Sequence, residues 1–189
     1  ASRNVKLSLR NGLAWELGSL DDIEEFARIY RLTAERRSMA PFYRFDSAHL
    51  ASLLRLHGGR TQLVLVRDGA TARVVAGSLL LMDSTTVYYH LGASDPLFLN
   101  LRPNDHLVFA ITLVAYRHGV TRITWGGGLG NDPNDNLFQY KSRFGNRFVP
   151  VYIAGRVVDA TQFEQLCTRW STLHPDQAGS SRFFLRYRQ

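Results

Sequence analysis

Residues 61–93 read TQLVLVRDGATARVVAGSLLLMDSTTVYYHLGA. Thr61–Arg67 is an apolar, β-branched run that stops at Asp68-Gly69, a strong hairpin signal because both residue types tolerate the positive φ of a tight turn. Arg73–Met82 is a second apolar run, Asp83-Ser84 a tight turn, and Thr85–Ala93 a third run. Three strands joined by short turns make an antiparallel meander. In the third strand, regular alternation puts Tyr88 and His90 on one face and Tyr89 and Leu91 on the other, so one face is partly polar.

On the N-terminal side, Leu13–Leu17 reads as a short strand. A helix runs from Asp21 or Asp22 to about Arg37, with Ile23, Phe26, Ile29, Tyr30 and Thr33 on one face. Asp46 or Ser47 caps a second helix through Leu50, Leu53, Leu54 and Leu56, closed by Gly58-Gly59. On the C-terminal side comes a loop with Pro96 and Pro103, then a long apolar helix capped by Asn104 or Asp105 and reaching Tyr116. Thr121–Trp125 is a strand, Gly126-Gly127-Gly128 a turn and Asn134–Phe144 a short helix. A hairpin over Arg147–Ala154 and Arg156–Val158, a helix over Thr161–Leu173 and a final strand over Arg182–Arg188 complete the reading. Residues 1–12 read as a basic, linker-like segment with no element beyond a helical turn, and residues 13–189 as a single domain.

The order β-α-α-β-β-β-α-β-α-β is that of the GNAT-type acyltransferase fold, an α/β architecture with a mixed central sheet flanked by helices. That is a likeness of topology and does not fix chemistry.

The chain has 189 residues and a formal net charge of +7, which favours anionic partners. Cys167 is the only cysteine, so no internal disulfide forms, and its place in a helix suits packing. No apolar run approaches the ~20 residues of a membrane span, and no signal-peptide pattern opens the sequence, so a soluble cytoplasmic protein without stable membrane insertion is expected. The six histidines lack ligand spacing, so no metal is expected. No nucleophile elbow is visible, and the glycine run is neither a P-loop nor a dinucleotide fingerprint.

Of 23 basic residues only Lys6 and Lys141 are lysine. Lysine is a compact charge that can lose its proton, whereas arginine is a planar fork that cannot. On a helical wheel Leu137, Tyr140 and Phe144 share one face, and Lys141 falls between Leu137 and Phe138, at or inside the apolar arc. Its ammonium therefore points toward the protein body, where an oxyanion or phosphate is the natural partner, or its stem snorkels to the rim. Gly126, Gly127 and Gly128 leave a bare backbone, which admits a ligand or simply makes a turn.

The ordered motifs Tyr88-Tyr89-His90-Leu91-Gly92-Ala93-Ser94, Leu101-Arg102-Pro103-Asn104, Trp125-Gly126-Gly127-Gly128 and Leu137-Phe138-Gln139-Tyr140-Lys141-Ser142-Arg143-Phe144-Gly145 resemble the Fem peptidyltransferases (FemX/FemAB type) over roughly residues 20–155. The resemblance implies GNAT-like domains, two of them in the family against room for one here. It implies transfer of an amino acid from aminoacyl-tRNA to an amine, on a peptidoglycan precursor or a peptide-type metabolite such as an antibiotic. The Tyr140-Lys141 pair looks like the family's aromatic-lysine pair, which would make Lys141 and Tyr140 catalytic. Arg36, Tyr43 and Tyr89 sit where acceptor-binding side chains are expected. One departure concerns the donor. A GNAT enzyme that uses coenzyme A has an Arg-Gly-x-Gly type loop before its long helix, whereas Leu99–Asp105 here has no glycine and Pro103 lacks an N–H.

The expectation is an aminoacyltransferase with aminoacyl-tRNA as co-substrate and no cofactor, coenzyme A being the weaker reading. Gly126, Gly127 and Gly128 would make room for substrate, and Arg182, Arg186 and Arg188 would hold the RNA backbone. The alternatives are an acyl-CoA N-acyltransferase and a non-catalytic domain that binds tRNA or a partner.

Overall fold

The computed structural model describes residues 2–56, 59–128, 132–152, 154–179 and 184–188. They form two compact units, 1–146 and 147–189. The larger unit contains helix α1 (Ser2–Arg10), strand β1 (Leu13–Gly18), helices α2 (Ile23–Arg36) and α3 (Ser47–Arg55), and strands β2 (Thr61–Asp68), β3 (Val74–Met82) and β4 (Thr86–Ser94). Helix α4 (Pro103–Arg117), strand β5 (Arg122–Thr124) and helix α5 (Asn136–Ser142) follow. The smaller unit has helices α6 (Ala160–Leu173) and α7 (Pro175–Ala178).

The sheet runs β1-β2-β3-β4-β5, antiparallel except for the parallel β4–β5 pair. Strand β2 shows why its sequence is a nearly unbroken apolar run: helices cover both faces. Val64 and Val66 pack with Leu80, Val87 and the Leu107, Ile111 and Val114 side of α4. Leu63 and Leu65 pack with Phe26 and Ile29 of α2 and Leu50 of α3 on the other face. Asp46 caps α3 through His49 N, as its position before the apolar run indicates. Ser19 and Asp22 form a reciprocal capping box on the 3₁₀ turn that leads into α2.

Residues 2–10, read as a linker, are helical. Tertiary contact supplies what this polar sequence lacks: Ser8 is fully buried with its Oγ 2.9 Å from His106 Nδ1, and Asn4 donates to Asp105 Oδ1 at 3.2 Å. Burial pulls the His106 pKa below its usual value. Neither Asn104 nor Asp105 caps α4. The cap position is Arg102, in the left-handed region at φ 64°, and Pro103 takes the first helical position, where its missing N–H costs nothing. In the smaller unit, residues 147–152 and 154–158 carry no strand pairing where a hairpin was expected, and Arg186–Arg188 is a 3₁₀ turn rather than strand.

The face assignment in β4 also changes. Leu79 pairs with Leu91, but Leu80 pairs with Tyr89, which leaves His90 as an extra residue in a β-bulge. The bulge shifts the alternation by one, so Tyr89 joins the α4 side and Leu91 the α2–α3 side.

Candidate active site

The parallel pairing of β4 with β5 stops at Tyr88 and Thr124, immediately before the bulge. Beyond that point the two strands part, and aromatic rings fill the space. Tyr89 and Trp125 have centroids 5.9 Å apart, Trp125 and Phe144 6.0 Å, and Phe144 and Tyr140 5.1 Å edge-on. Gly126 turns the chain out of β5 with φ at 73°, a conformation that favours glycine.

Lys141 lies in the last turn of α5 and is half-buried. Its Nζ donates to the Gly127 carbonyl at 2.9 Å and stands 5.6 Å from the Tyr89 ring centroid, a cation–π distance. Gln139 and Arg143 face solvent. Burial lowers the Lys141 pKa from 10.5, against the pull of the Asp135 charge in the other direction. Burial pushes the Tyr89 phenol up to about 12. It also raises Tyr140, where Tyr89 and Asp105 add to the rise and Arg143 opposes it. Both phenols are therefore neutral hydrogen-bonding groups at pH 7. The group that carries charge into the aromatic pocket is the Lys141 ammonium.

The three glycines divide the work. Gly126 makes the turn and Gly127 supplies the carbonyl. At Gly128 a Cβ would come 2.7 Å from Asp135 Oδ2, so its missing side chain is space for that carboxylate. Gly92 is a fourth: a Cβ there would fall 1.7 Å from Tyr89 Oη and 2.3 Å from its Cζ.

Arg36 lies elsewhere, at the C-terminus of α2, with Nη2 3.5 Å from Ser94 Oγ, which also accepts from Asn104 Nδ2 at 3.3 Å. Partial burial and then the Arg37 charge lower its pKa. Tyr43 sits in a 3₁₀ turn over Pro41–Tyr43, half its surface exposed, and its carbonyl accepts from Tyr30 Oη at 2.8 Å. No direct contact joins either residue to the Lys141 pocket among the described contacts. Arg182 lies outside the described residues. Arg186 and Arg188 belong to the smaller unit, Arg188 exposed.

In the turn into α4 several backbone donors are already engaged. Phe98 N and Arg102 N donate to the Asp95 and Leu99 carbonyls, Leu97 N donates to Asp95 Oδ1, and Pro103 has no N–H.

Sequence reasoning missed Asp135 and Gly92. Asp135 had a signal, since an Asp directly before an apolar helical run is an N-cap pattern. Gly92 had none, because its role depends on a bulge one residue wide.

The chain matches the family described as Acetyltransferase (GNAT) domain over residues 2–142. It is similar to the lipid II:glycine glycyltransferase of Staphylococcus saprophyticus subsp. saprophyticus, 33% identical over 75 residues, which covers 38% of this chain and 18% of that protein. Among solved structures, FemX superposes with a TM-score of 0.65 at 17% identity, over 75% of this chain and 52% of FemX. An aminoglycoside acetyltransferase from an uncultured soil metagenomic sample superposes with a TM-score of 0.58 at 16% identity, over 78% of this chain and 99% of that one. The chain thus spans about half of FemX and less than a fifth of the glycyltransferase.

Proposed function

The chain belongs to the GNAT acetyltransferase-domain family, and we propose that it is an aminoacyltransferase that moves an amino acid from aminoacyl-tRNA to an amine on a peptidoglycan precursor or related peptide. The observation that carries this reading is the half-buried Lys141 ammonium, held by the Gly127 carbonyl over the Tyr89 ring where β4 and β5 part. The similarity to a lipid II:glycine glycyltransferase supports an amino acid as the transferred group.

The acceptor amine attacks the carbonyl of the aminoacyl ester. A C–N bond forms, the C–O bond to the ribose of the tRNA breaks, and the amine's proton leaves with the ribose oxygen. Negative charge gathers on the carbonyl oxygen in between. Lys141 Nζ stabilises that oxygen, with Tyr140 and Tyr89 packed around the half-buried lysine. Ester aminolysis needs little further help beyond positioning. Arg36 and Tyr43 are assigned to the acceptor, and Arg182, Arg186 and Arg188 to the RNA backbone.

The test is transfer of labelled glycine from charged tRNA to an amine-bearing precursor peptide, with and without ribonuclease. Transfer is expected to vanish with ribonuclease, and Lys141→Ala to lower it roughly 10²–10³-fold with tRNA binding kept. Activity that survives ribonuclease, or is untouched by Lys141→Ala, overturns the reading. A second reading, N-acylation from an acyl-CoA thioester, is favoured by the near-complete coverage of a stand-alone acetyltransferase. It predicts labelled acetyl-CoA binding, which the tRNA reading does not.

A further inference from the structure

Helix α5 has seven residues, too few to be stable on propensity alone. Asp135 holds its start. Oδ1 accepts from Leu137 N at 2.6 Å and Phe138 N at 3.1 Å, and the Asp135 carbonyl accepts from Gln139 N at 2.9 Å. The same carboxylate fills the space left by the Gly128 side chain, so it ties the glycine turn to the helix. At the other end of that helix Lys141 reaches back to the carbonyl of Gly127, the neighbouring residue of the turn. Glycine turn, Asp135 and Lys141 therefore close one loop.

We infer that Asp135 is the positioning residue for Lys141: its carboxylate pins α5 to the Gly126–Gly128 turn and so holds the ammonium against the Gly127 carbonyl and beside the Tyr89 ring. This rests on the reading of Lys141 as the functional group. Around the pocket, Tyr89 faces the ammonium from β4, Asp105 lies on α4 near Tyr140, and Tyr140 and Arg143 sit on α5 itself. The Asp135 charge opposes the burial that favours the neutral amine.

The chain carries its own internal standard. Lys6, the other lysine, is exposed on α1. Trace acetylation of the full chain with acetic anhydride over a series of pH values, read by mass spectrometry, gives the titration midpoint of each lysine. Wild-type Lys141 is expected to titrate below Lys6. Asp135→Asn keeps an oxygen at the cap and removes the charge. It is expected to move the Lys141 midpoint further down, with Lys6 and the thermal midpoint of the fold unchanged. Asp135→Ala removes the pin as well, so the lysine is released to water and its midpoint rises to that of Lys6. An Asp135→Ala midpoint equal to that of wild type or of Asp135→Asn overturns the pin. The labelling needs no transfer activity. A chain that moves no amino acid from tRNA yet shows both shifts loses the proposed function and keeps this one, and the converse result does the opposite.

Discussion

Lys141 and Tyr89 face each other with pKa values displaced in opposite directions by the same cause, removal from water. The two have opposite consequences for stability. The Tyr89 phenol goes from 10.0 in the unfolded chain to about 12 in the fold, so the unfolded chain releases that proton first. Its contribution is complete below pH 10 and is lost as the pH rises through about 12. Lys141 is lowered from 10.5, so its burial penalty is relieved as the pH climbs from its folded value toward 10.5. Between pH 10 and 12 the phenol dominates, and Tyr140 adds to it in the same sense. Tyr89→Phe is therefore expected to lose less stability than wild type over that interval, measured as the urea midpoint at each pH. Parallel curves for the two proteins would show that Tyr89 is not the buried phenol described. The wheel position of Lys141 was legible because 3.6-residue periodicity places it beside Leu137 and Phe138. Its partner, a backbone carbonyl fourteen residues earlier in the chain, leaves no mark in side-chain pattern.

At the scale of elements, strands β2, β3 and β4 follow the apolar runs within one or two residues, and α2, α3 and α4 follow their periodic faces. The bulge in β4 is the element that a two-residue period hides, since it inserts one residue and reverses every face after it. It brings Tyr89 over Gly92 on the α4 side and frees Leu91 for the α2–α3 core. Gly92→Ala would put a methyl group onto the Tyr89 hydroxyl, 1.7 Å from Oη, so the ring must shift away from the Lys141 ammonium. The expected cost is about 1–3 kcal/mol, measured by denaturant unfolding, together with loss of transfer. Unchanged stability and activity would mean that the ring has another place to go. Helix α1 shows the opposite case. Its residues are mostly polar and its two leucines, Leu7 and Leu9, are exposed, so its sequence suggested no more than a helical turn; the Ser8–His106 and Asn4–Asp105 contacts hold the whole helix against α4.

For the whole molecule, the family match ends at residue 142 and the larger compact unit at residue 146. That unit holds both core clusters of the five-stranded sheet. A fragment of residues 1–146 is expected to unfold cooperatively in urea with a single midpoint; a fragment without a transition would tie the sheet's stability to residues 147–189. Among the described residues no helix is long and apolar enough to cross a membrane. The sequence by itself determined the order of elements from β1 to α5 and the inward lean of Lys141, because each follows from hydrophobic periodicity over neighbouring residues. Only the tertiary structure decided the bulge in β4, the helix at residues 2–10, the lack of strand at residues 147–152 and 154–158 and the contact of Lys141 with Gly127 beside Tyr89. Each of these depends on which distant backbone groups and rings meet, and no local pattern of side chains encodes that meeting.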